Sequence, residues 1–230
     1  MKSILLVFST FALAMESIYA DIVYNIDYEP PTYTNGQQVG GGTTETITDS
    51  INGFSSQALL IHDGGGLNYL APSTFTSGMH LVTWDMSIPT VQGSSSILNV
   101  QLIAEGGPTL FSTTAAGDAS TLRVEYGSGF PMRPSVTINE GQSYFFQVFM
   151  DLDADYYSFW LDAALLEDTV SIPSEASLWL VGFGQNQSLG LQAGIDNFRW
   201  EVVPEPTSAL LILLGGFGIY LARHRKQAGE

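Results

Sequence analysis

Hydrophobic and polar residues alternate along four short segments of the chain, at 81–88, 97–104, 121–126 and 197–202. A repeat of two residues places every second side chain on the same face of a β-strand, so each segment predicts a strand with one buried face. Between the two ends of the chain, no segment shows the three- and four-residue spacing of apolar positions that is typical of an amphipathic helix. The pattern therefore favours an all-β domain.

Three further segments are apolar on both faces, at 144–150, 156–161 and 178–183. Such runs are typical of central strands in packed sheets. The segments 22–28 and 58–61 add two more strands. Glycine-, proline- and asparagine-containing segments separate the strands and predict turns. These turn segments are 64–66, 106–108, 127–131 and 139–141.

The order of these segments predicts an antiparallel jelly-roll β-sandwich over residues 21–202. An opening strand at 26–29 precedes a glycine-rich loop, a strand pair follows at 143–151 and 156–162, and residues 195–200 close the domain. This order resembles that of concanavalin-like, laminin-G-like jelly rolls. The chain has no cysteine, which excludes disulfide bonds and thiolate metal sites, so the fold depends on its core.

Residues 1–20 have the three parts of a secretory signal peptide. Lys2 supplies a positive start, residues 4–15 are apolar, and Ala20 offers a small residue for cleavage before Asp21. The apolar run is too short for a bilayer core of about 30 Å. The alternative is a buried N-terminal helix, but such a helix would show a polar face, and this run has none. We expect the chain to be exported.

A second apolar segment, at 209–222, is followed directly by a basic cluster. The cluster contains Arg223, Arg225 and Lys226. A helix over the apolar segment is about 21 Å long, and flanking residues can make up the small deficit against the bilayer. We predict one transmembrane helix at about 208–222 and a cytoplasmic basic tail at 223–226, because positive charges stay on the inner side. The domain before the helix then lies outside the inner membrane.

The tripeptide Pro204, Glu205 and Pro206 precedes this helix. Two prolines fix the backbone and remove donors, which keeps the segment extended beside the membrane. Together with the apolar helix and the basic end, the segment 203–230 resembles the tripartite PEP-CTERM sorting signal. The resemblance implies export in Gram-negative, often biofilm-forming bacteria, with an exosortase that cleaves near the tripeptide and passes the protein to the cell surface or matrix. The alternative is a plain single-span anchor with a proline linker.

The formal net charge of the chain is −16 at pH 7. Between residues 21 and 206 the basic residues are only Arg123, Arg133 and Arg199. An acidic surface repels phosphate backbones, so we expect no nucleic-acid partner. It suits solubility, cation binding or association with neutral sugars.

Asp151, Asp153 and Asp155 alternate in one short segment. Calcium prefers several hard oxygen ligands, so this cluster is a candidate calcium site, with ligands from other loops such as Asp63, Asp196 and Asn197. The helical calcium loop is excluded, because it needs glycine at its sixth position and Tyr156 stands there. The alternative is a hairpin turn with solvated carboxylates. No other cofactor is predicted.

No catalytic residue can be named from the sequence. Glycoside hydrolysis needs two acids across a sugar, and the Glu-x-Asp-x-x-Glu strand motif of laminarinase-type jelly rolls does not occur. His62 and His80 are the only histidines between the ends, and neither lies beside a serine nucleophile motif. We expect a non-enzymatic domain, and we keep a secreted carbohydrate-active hydrolase or lyase as the alternative.

Aromatic side chains offer a second kind of candidate site. Tyr156, Tyr157, Trp160 and Trp179 are candidate platforms for sugar rings, although the core of a sandwich needs the same residue types. The favoured hypothesis is an exported envelope or matrix protein whose sandwich domain associates with exopolysaccharide or serves adhesion. A purely structural envelope protein is the second alternative.

Overall fold

The computed structural model describes residues 20–39, 45–49, 51–62, 64–89, 95–117, 121–128, 134–174, 176–184 and 192–204. Within these residues the chain forms fourteen β-strands and no helix. The strands are β1 (Asp21–Ile26), β2 (Glu45–Thr48), β3 (Ala58–His62), β4 (Gly66–Phe75), β5 (Met79–Ser87), β6 (Ser95–Ala104), β7 (Thr109–Gly117), β8 (Leu122–Gly127), β9 (Ser135–Ile138), β10 (Ser143–Asp151), β11 (Tyr156–Leu161), β12 (Ala164–Ser171), β13 (Leu178–Gly184) and β14 (Gln192–Val203).

The strands build two antiparallel sheets. The larger sheet has eight strands, with the order β12-β11-β10-β5-β14-β3-β2 and with β1 also paired to β14. The smaller sheet has six strands, in the order β4-β13-β6-β7-β8-β9. On one side β14 pairs with β5, and on the other side it pairs first with β3 and then with β1. The last strand therefore lies at the centre of the larger sheet.

Aromatic side chains fill the space between the sheets. Trp84 and Phe146 of the larger sheet stack with ring centroids 5.2 Å apart, and Phe183 of the smaller sheet meets Trp84 edge-on. Phe111 of the smaller sheet contacts Tyr157 edge-on, with centroids 5.0 Å apart. All five side chains are buried. These contacts across the interior show that the sheets pack face to face around one core.

The predicted alternation is confirmed in the described strands. In β8, for example, Leu122, Val124 and Tyr126 are buried, whereas Arg123 and Glu125 on the opposite face are only half-buried. The interpretation of 144–150 as apolar on two covered faces needs a correction. The strand β10 is central in its sheet, but only one of its faces packs on the core, and Phe145 on the other face is exposed.

Residues 1–19 of the predicted signal peptide (1–20) and the whole of the predicted C-terminal helix (208–222) lie outside the described residues. Within the part of the chain that the structure describes, no helix is long and apolar enough to cross a membrane.

Candidate functional site

Six residues on the outer face of the larger sheet stand in register across six strands. The row consists of Asn25, Arg199, Thr83, Gln147, Trp160 and Leu165. Directly opposed residues of an antiparallel pair point to the same face of the sheet. Neighbouring strands are about 4.8 Å apart, so the row extends over about 24 Å. We call these six residues the cross-strand row.

An open groove of about 380 Å³ lies on this face. We call it the outer groove, and its lining residues are Asn25, Ile26, Asp27, Leu81, Thr83, Phe145, Gln147, Asn197, Arg199 and Glu201. Its volume is within the range of about 300–1,000 Å³ that small-molecule sites occupy. The lining combines amide, hydroxyl, carboxylate and guanidinium groups with a few apolar side chains. It therefore offers both hydrogen-bonding groups and an apolar contact surface.

Phe145 supplies the aromatic surface of the outer groove. Its side chain is 40% exposed, which is unusual for a phenylalanine in a central strand. The backbone of Phe145 is held by Asp162, whose Oδ1 accepts from Phe145 N at 2.8 Å and whose N donates to Phe145 O at 2.9 Å. Both hydrogen bonds fix the backbone at this position, so the ring is presented from a rigid point of the sheet.

Arg199 and Glu201 form an ion pair on the same face of β14. The Arg199 Nη2 atom lies 2.5 Å from Glu201 Oε2. The Arg199 side chain is 46% exposed, whereas that of Glu201 is only 11% exposed. The guanidinium group thus faces the groove while the carboxylate lies beneath it.

An acidic cluster lies at one end of the groove, where β14 carries a bulge between Asp196 and Arg199. Asn197 has a φ of 49°, and its Nδ2 donates to Asp85 Oδ2 at 2.8 Å. Burial raises the pKa of Asp85, and the hydrogen bond from Asn197 opposes this effect. Burial also raises the pKa of Asp196 to about 7, and the nearby carboxylates, Glu29 first among them, add to the rise. The buried carboxyl of Asp196 is therefore easily protonated.

The structure separates the four aromatic residues that the sequence suggested. Trp160 and Tyr156 lie on the outer face of the larger sheet, and the Tyr156 ring is 6.3 Å from that of Phe149. Tyr157 points the other way, into the core, and its hydroxyl donates to Glu167 Oε2 at 2.5 Å. Trp179 is 38% exposed but belongs to the smaller sheet. Of the four, only Trp160, in the cross-strand row, and Tyr156, at the start of the same strand, share a face with the outer groove.

The carboxylates at Asp151, Asp153 and Asp155 lie in the hairpin between β10 and β11. Asp151 Oδ1 accepts from the backbone N of Asp153 at 3.0 Å and of Ala154 at 2.9 Å. Asp153 Oδ2 accepts from Gly78 N at 2.7 Å. Across the described ranges, no group of three or more His, Cys, Asp or Glu residues is arranged to hold a metal ion. The Asp151 carboxylate thus stabilises the hairpin turn, and the Asp153 carboxylate links it to the connection between β4 and β5, while calcium binding stays a prediction.

His80 is buried in the core at the start of β5. Its Nδ1 accepts from Trp200 Nε1 at 3.4 Å, and burial lowers its pKa. A neutral, buried imidazole that is bonded to a tryptophan contributes to packing. This position gives it no route to the outer groove.

Sequence reasoning missed the groove residues Thr83, Phe145, Gln147 and Arg199. The available signal was the run at 144–150, which has aromatic residues at both odd- and even-numbered positions of the strand. Only one of these two sets of positions can face the core, so the other set marks an aromatic outer face. The partners on the other strands give no such signal, because their pairing is set by the register of the sheet.

A family model matches the end of the chain. Residues 202–226 are a PEP-CTERM protein-sorting motif. Pro204 directly follows β14, while Glu205, Pro206, Arg223, Arg225 and Lys226 lie outside the described residues. The match covers the tail only, and no curated protein sequence matches the chain.

Solved structures share the fold of the domain at low sequence identity. The globular domain of T. cruzi calreticulin superposes with a TM-score of 0.54 at 10% identity, over 90% of this chain and 98% of its own. The catalytic domain of the glycoside hydrolase family 131 protein from Coprinopsis cinerea gives a TM-score of 0.51 at 10% identity, over 80% and 96%. A sialidase gives 0.50 at 12% identity over 78% of this chain, which spans only 18% of the sialidase chain. These likenesses show the fold alone.

Proposed function

We propose that this chain is an exported, non-enzymatic envelope protein whose jelly-roll domain binds exopolysaccharide through the outer groove. The observation that carries the proposal is the exposed Phe145 ring beside the polar side chains of the cross-strand row. The function is thus a binding function, placed on the face of the larger sheet that does not pack on the core.

The chemistry of the groove suits a sugar chain. A pyranose has an apolar C–H face that packs against an aromatic ring, and its hydroxyl groups both donate and accept hydrogen bonds. Donor and acceptor groups come from the side-chain amides of Gln147, Asn25 and Asn197. Thr83 supplies a hydroxyl group. The row of about 24 Å is long enough for several sugar units, so the face suits a polymer better than a monosaccharide.

The sorting motif supports export. In the proposed route a signal peptide directs the chain across the inner membrane, and the C-terminal segment anchors it with the domain on the periplasmic side. An exosortase then recognises the PEP-CTERM motif and processes it, and the protein passes to the cell surface or extracellular matrix. A domain that binds exopolysaccharide has its ligand in that compartment.

The fold likeness agrees with this proposal. The family 131 domain from Coprinopsis cinerea is named as a glycoside hydrolase domain, so the same sandwich occurs in a protein that acts on glycosides. That name also motivates the alternative of a hydrolase or lyase. Against it, the carboxylates of Asp151 and Asp153 in the β10–β11 hairpin already accept backbone hydrogen bonds, and Glu201 of the outer groove is paired with Arg199.

The proposal is tested by removing the Phe145 ring and leaving an equally exposed aromatic as the control. We expect Phe145→Ala to weaken binding to neutral oligosaccharides about tenfold, the equivalent of roughly 1.4 kcal/mol. Trp179→Ala removes an aromatic of similar exposure from the smaller sheet and should leave the affinity unchanged. Affinities are measured by isothermal titration calorimetry on the full-length chain in a polyoxyethylene detergent, which contains no sugar.

The same titrations separate the alternatives. Loss of binding in Trp179→Ala but not in Phe145→Ala would move the site to the smaller sheet. Release of reducing ends from the oligosaccharides would establish the hydrolase, and the formation of unsaturated ends would establish the lyase. Absence of binding across the oligosaccharide panel would leave the purely structural role.

A further inference from the structure

Arg199 is the one cationic side chain that lines the outer groove. Among the described residues, Arg123 is the other arginine, and no lysine is present. An arginine on a sugar-binding face is the side chain that best recognises a carboxylate or sulfate, because its planar donors bind anionic oxygens in pairs. Whether Arg199 is free or paired with a carboxylate therefore decides whether the groove accepts anionic glycans or only glycans without anionic groups.

In this structure the charge of Arg199 is already compensated. Glu201 Oε2 lies 2.5 Å from its Nη2, and the Glu201 side chain is largely buried. The residues opposite Glu201 on the neighbouring strands are Ile22 and Leu81, both apolar. Because the Glu201 side chain is only 11% exposed, its attraction to the guanidinium is less screened than that of an exposed pair.

The remaining charges of the groove are negative. Asp27 lines it as a second carboxylate, so the lining carries one cationic and two anionic side chains. Asp85 lies beside the groove, hydrogen-bonded to Asn197. An anionic polymer that approached this face would meet an excess of like charge, and its own carboxylates would have to displace Glu201 from Arg199.

We propose that Glu201 is a specificity-determining residue, which neutralises Arg199 and so restricts the outer groove to glycans without anionic groups. The inference rests on the proposed function and names the class of its ligand. Neutral chains, and chains with amino sugars, can use the amide, hydroxyl and aromatic surfaces of the groove. Chains of uronic acid or sulfated sugar find no free cation there.

The variant Glu201→Gln tests the proposal, because glutamine keeps the size of the side chain and removes its charge. Arg199 then becomes available to an anionic ligand. The matched control is Glu125→Gln on β8, where Arg123 Nε lies 2.9 Å from Glu125 Oε1 in the same Arg-x-Glu arrangement on the smaller sheet. Thermal unfolding of both variants checks that the fold is retained.

The ligands are matched pairs of oligosaccharides that differ only at C6, namely cellohexaose with the oxidised hexaglucuronate, and α-1,4-galactotriose with trigalacturonate. Affinities are measured on the full-length chain in polyoxyethylene detergent. We expect the wild type to bind at least one neutral member and to bind its uronate partner at least about tenfold more weakly. Glu201→Gln should reduce that preference about tenfold, and rising salt should restore it. Glu125→Gln should behave as the wild type.

Two results would overturn the inference: uronate binding by the wild type as tight as that of the neutral partner, or an unchanged preference in Glu201→Gln. Failure of the proposed function looks different, because the wild type would then bind no neutral oligosaccharide. If uronate binding nevertheless appeared in Glu201→Gln alone, the blocking role of Glu201 would stand without the proposed ligand. If no ligand bound to either protein, both would be wrong.

Discussion

Asp196 holds a carboxyl group at a position where its negative charge is unfavourable. The residue is buried in β14, and its Oδ1 accepts from Asn197 N at 2.8 Å. Burial, together with the carboxylates of Glu29, Asp85 and Asp27, raises its pKa from 3.8 to about 7. The folded state therefore binds a proton more tightly at this site than the unfolded chain does.

This shift predicts the direction of a pH effect on stability. Because the pKa is raised in the folded state, the protonated carboxyl of Asp196 makes its full contribution to the free energy of unfolding below pH 4. This contribution is lost as the pH rises from about 4 to 7. We expect Asp196→Asn to abolish this loss, since asparagine is uncharged and still accepts from Asn197 N. Its melting temperature at pH 8 should exceed that of the wild type by roughly 2–8 °C, with a smaller difference at pH 4.

Thermal unfolding from pH 4 to pH 8 in the presence of EDTA measures this effect. His80 acts in the opposite direction, because its pKa is lowered and protonation of the unfolded chain favours unfolding below about pH 6.5. Both proteins contain His80, so its contribution cancels in the comparison. If the melting temperatures of wild type and variant changed with pH in the same way, the raised pKa of Asp196 would be contradicted.

At the scale of single elements, the hairpin between β10 and β11 shows how carboxylates stabilise a turn. Asp151 accepts two backbone hydrogen bonds, while Asp155 adopts a φ of 55°. Aspartate suits both positions, because its short side chain bonds to the backbone just ahead and tolerates the left-handed region. The alternating aspartates that suggested calcium thus also have a local structural reason.

Two substitutions at Asp151 distinguish the turn from a calcium site. Asp151→Ala removes the acceptor and should cost about 1 kcal/mol, or roughly 2–4 °C in melting temperature. Asp151→Asn retains an acceptor oxygen and should unfold close to the wild type. Differential scanning fluorimetry with EDTA and with calcium chloride gives both values. A calcium-dependent rise in the wild type that disappears in Asp151→Asn would instead establish the metal site.

The strands were predictable where one face is buried and the other polar. The alternation at 81–88 and 97–104 matches β5 and β6 because every second residue points away from the core. The sequence did not predict β7, whose small residues are nearly all buried without a repeat of two. It also did not predict β12, an edge strand with mostly exposed or half-buried residues. Neither strand shows the contrast between a buried and a solvated face.

At the scale of the whole molecule, the two ends of the domain lie side by side. Asp21 in β1 is the register partner of Val202 in β14, and Pro204 follows two residues later. The predicted cleavage site after Ala20 and the sorting motif therefore emerge from neighbouring strands. Ala20 and Pro204 thus lie at the same end of the larger sheet.

This arrangement makes a prediction about processing. We expect the protein in the inner membrane to begin at Asp21 and to retain its C-terminal segment, and the protein at the cell surface to end near the Pro204–Pro206 tripeptide. Intact-mass spectrometry of the two cell fractions measures both ends. A chain that still contains residues 1–20, or a reporter inserted before Pro204 that proves cytosolic, would contradict the proposed topology.

The sequence by itself determined the strand-rich character, the acidic surface and the sorting motif. Each of these is a property of neighbouring residues: the alternation of side chains, the count of charges, and the order of proline, apolar and basic residues at the end. Only the tertiary structure decided which outward-facing residues share a surface. Asn25, Thr83, Gln147 and Arg199 are far apart along the chain, and the register of four different strands brings them together. Register depends on the packing of a whole face against the core, which no local pattern specifies.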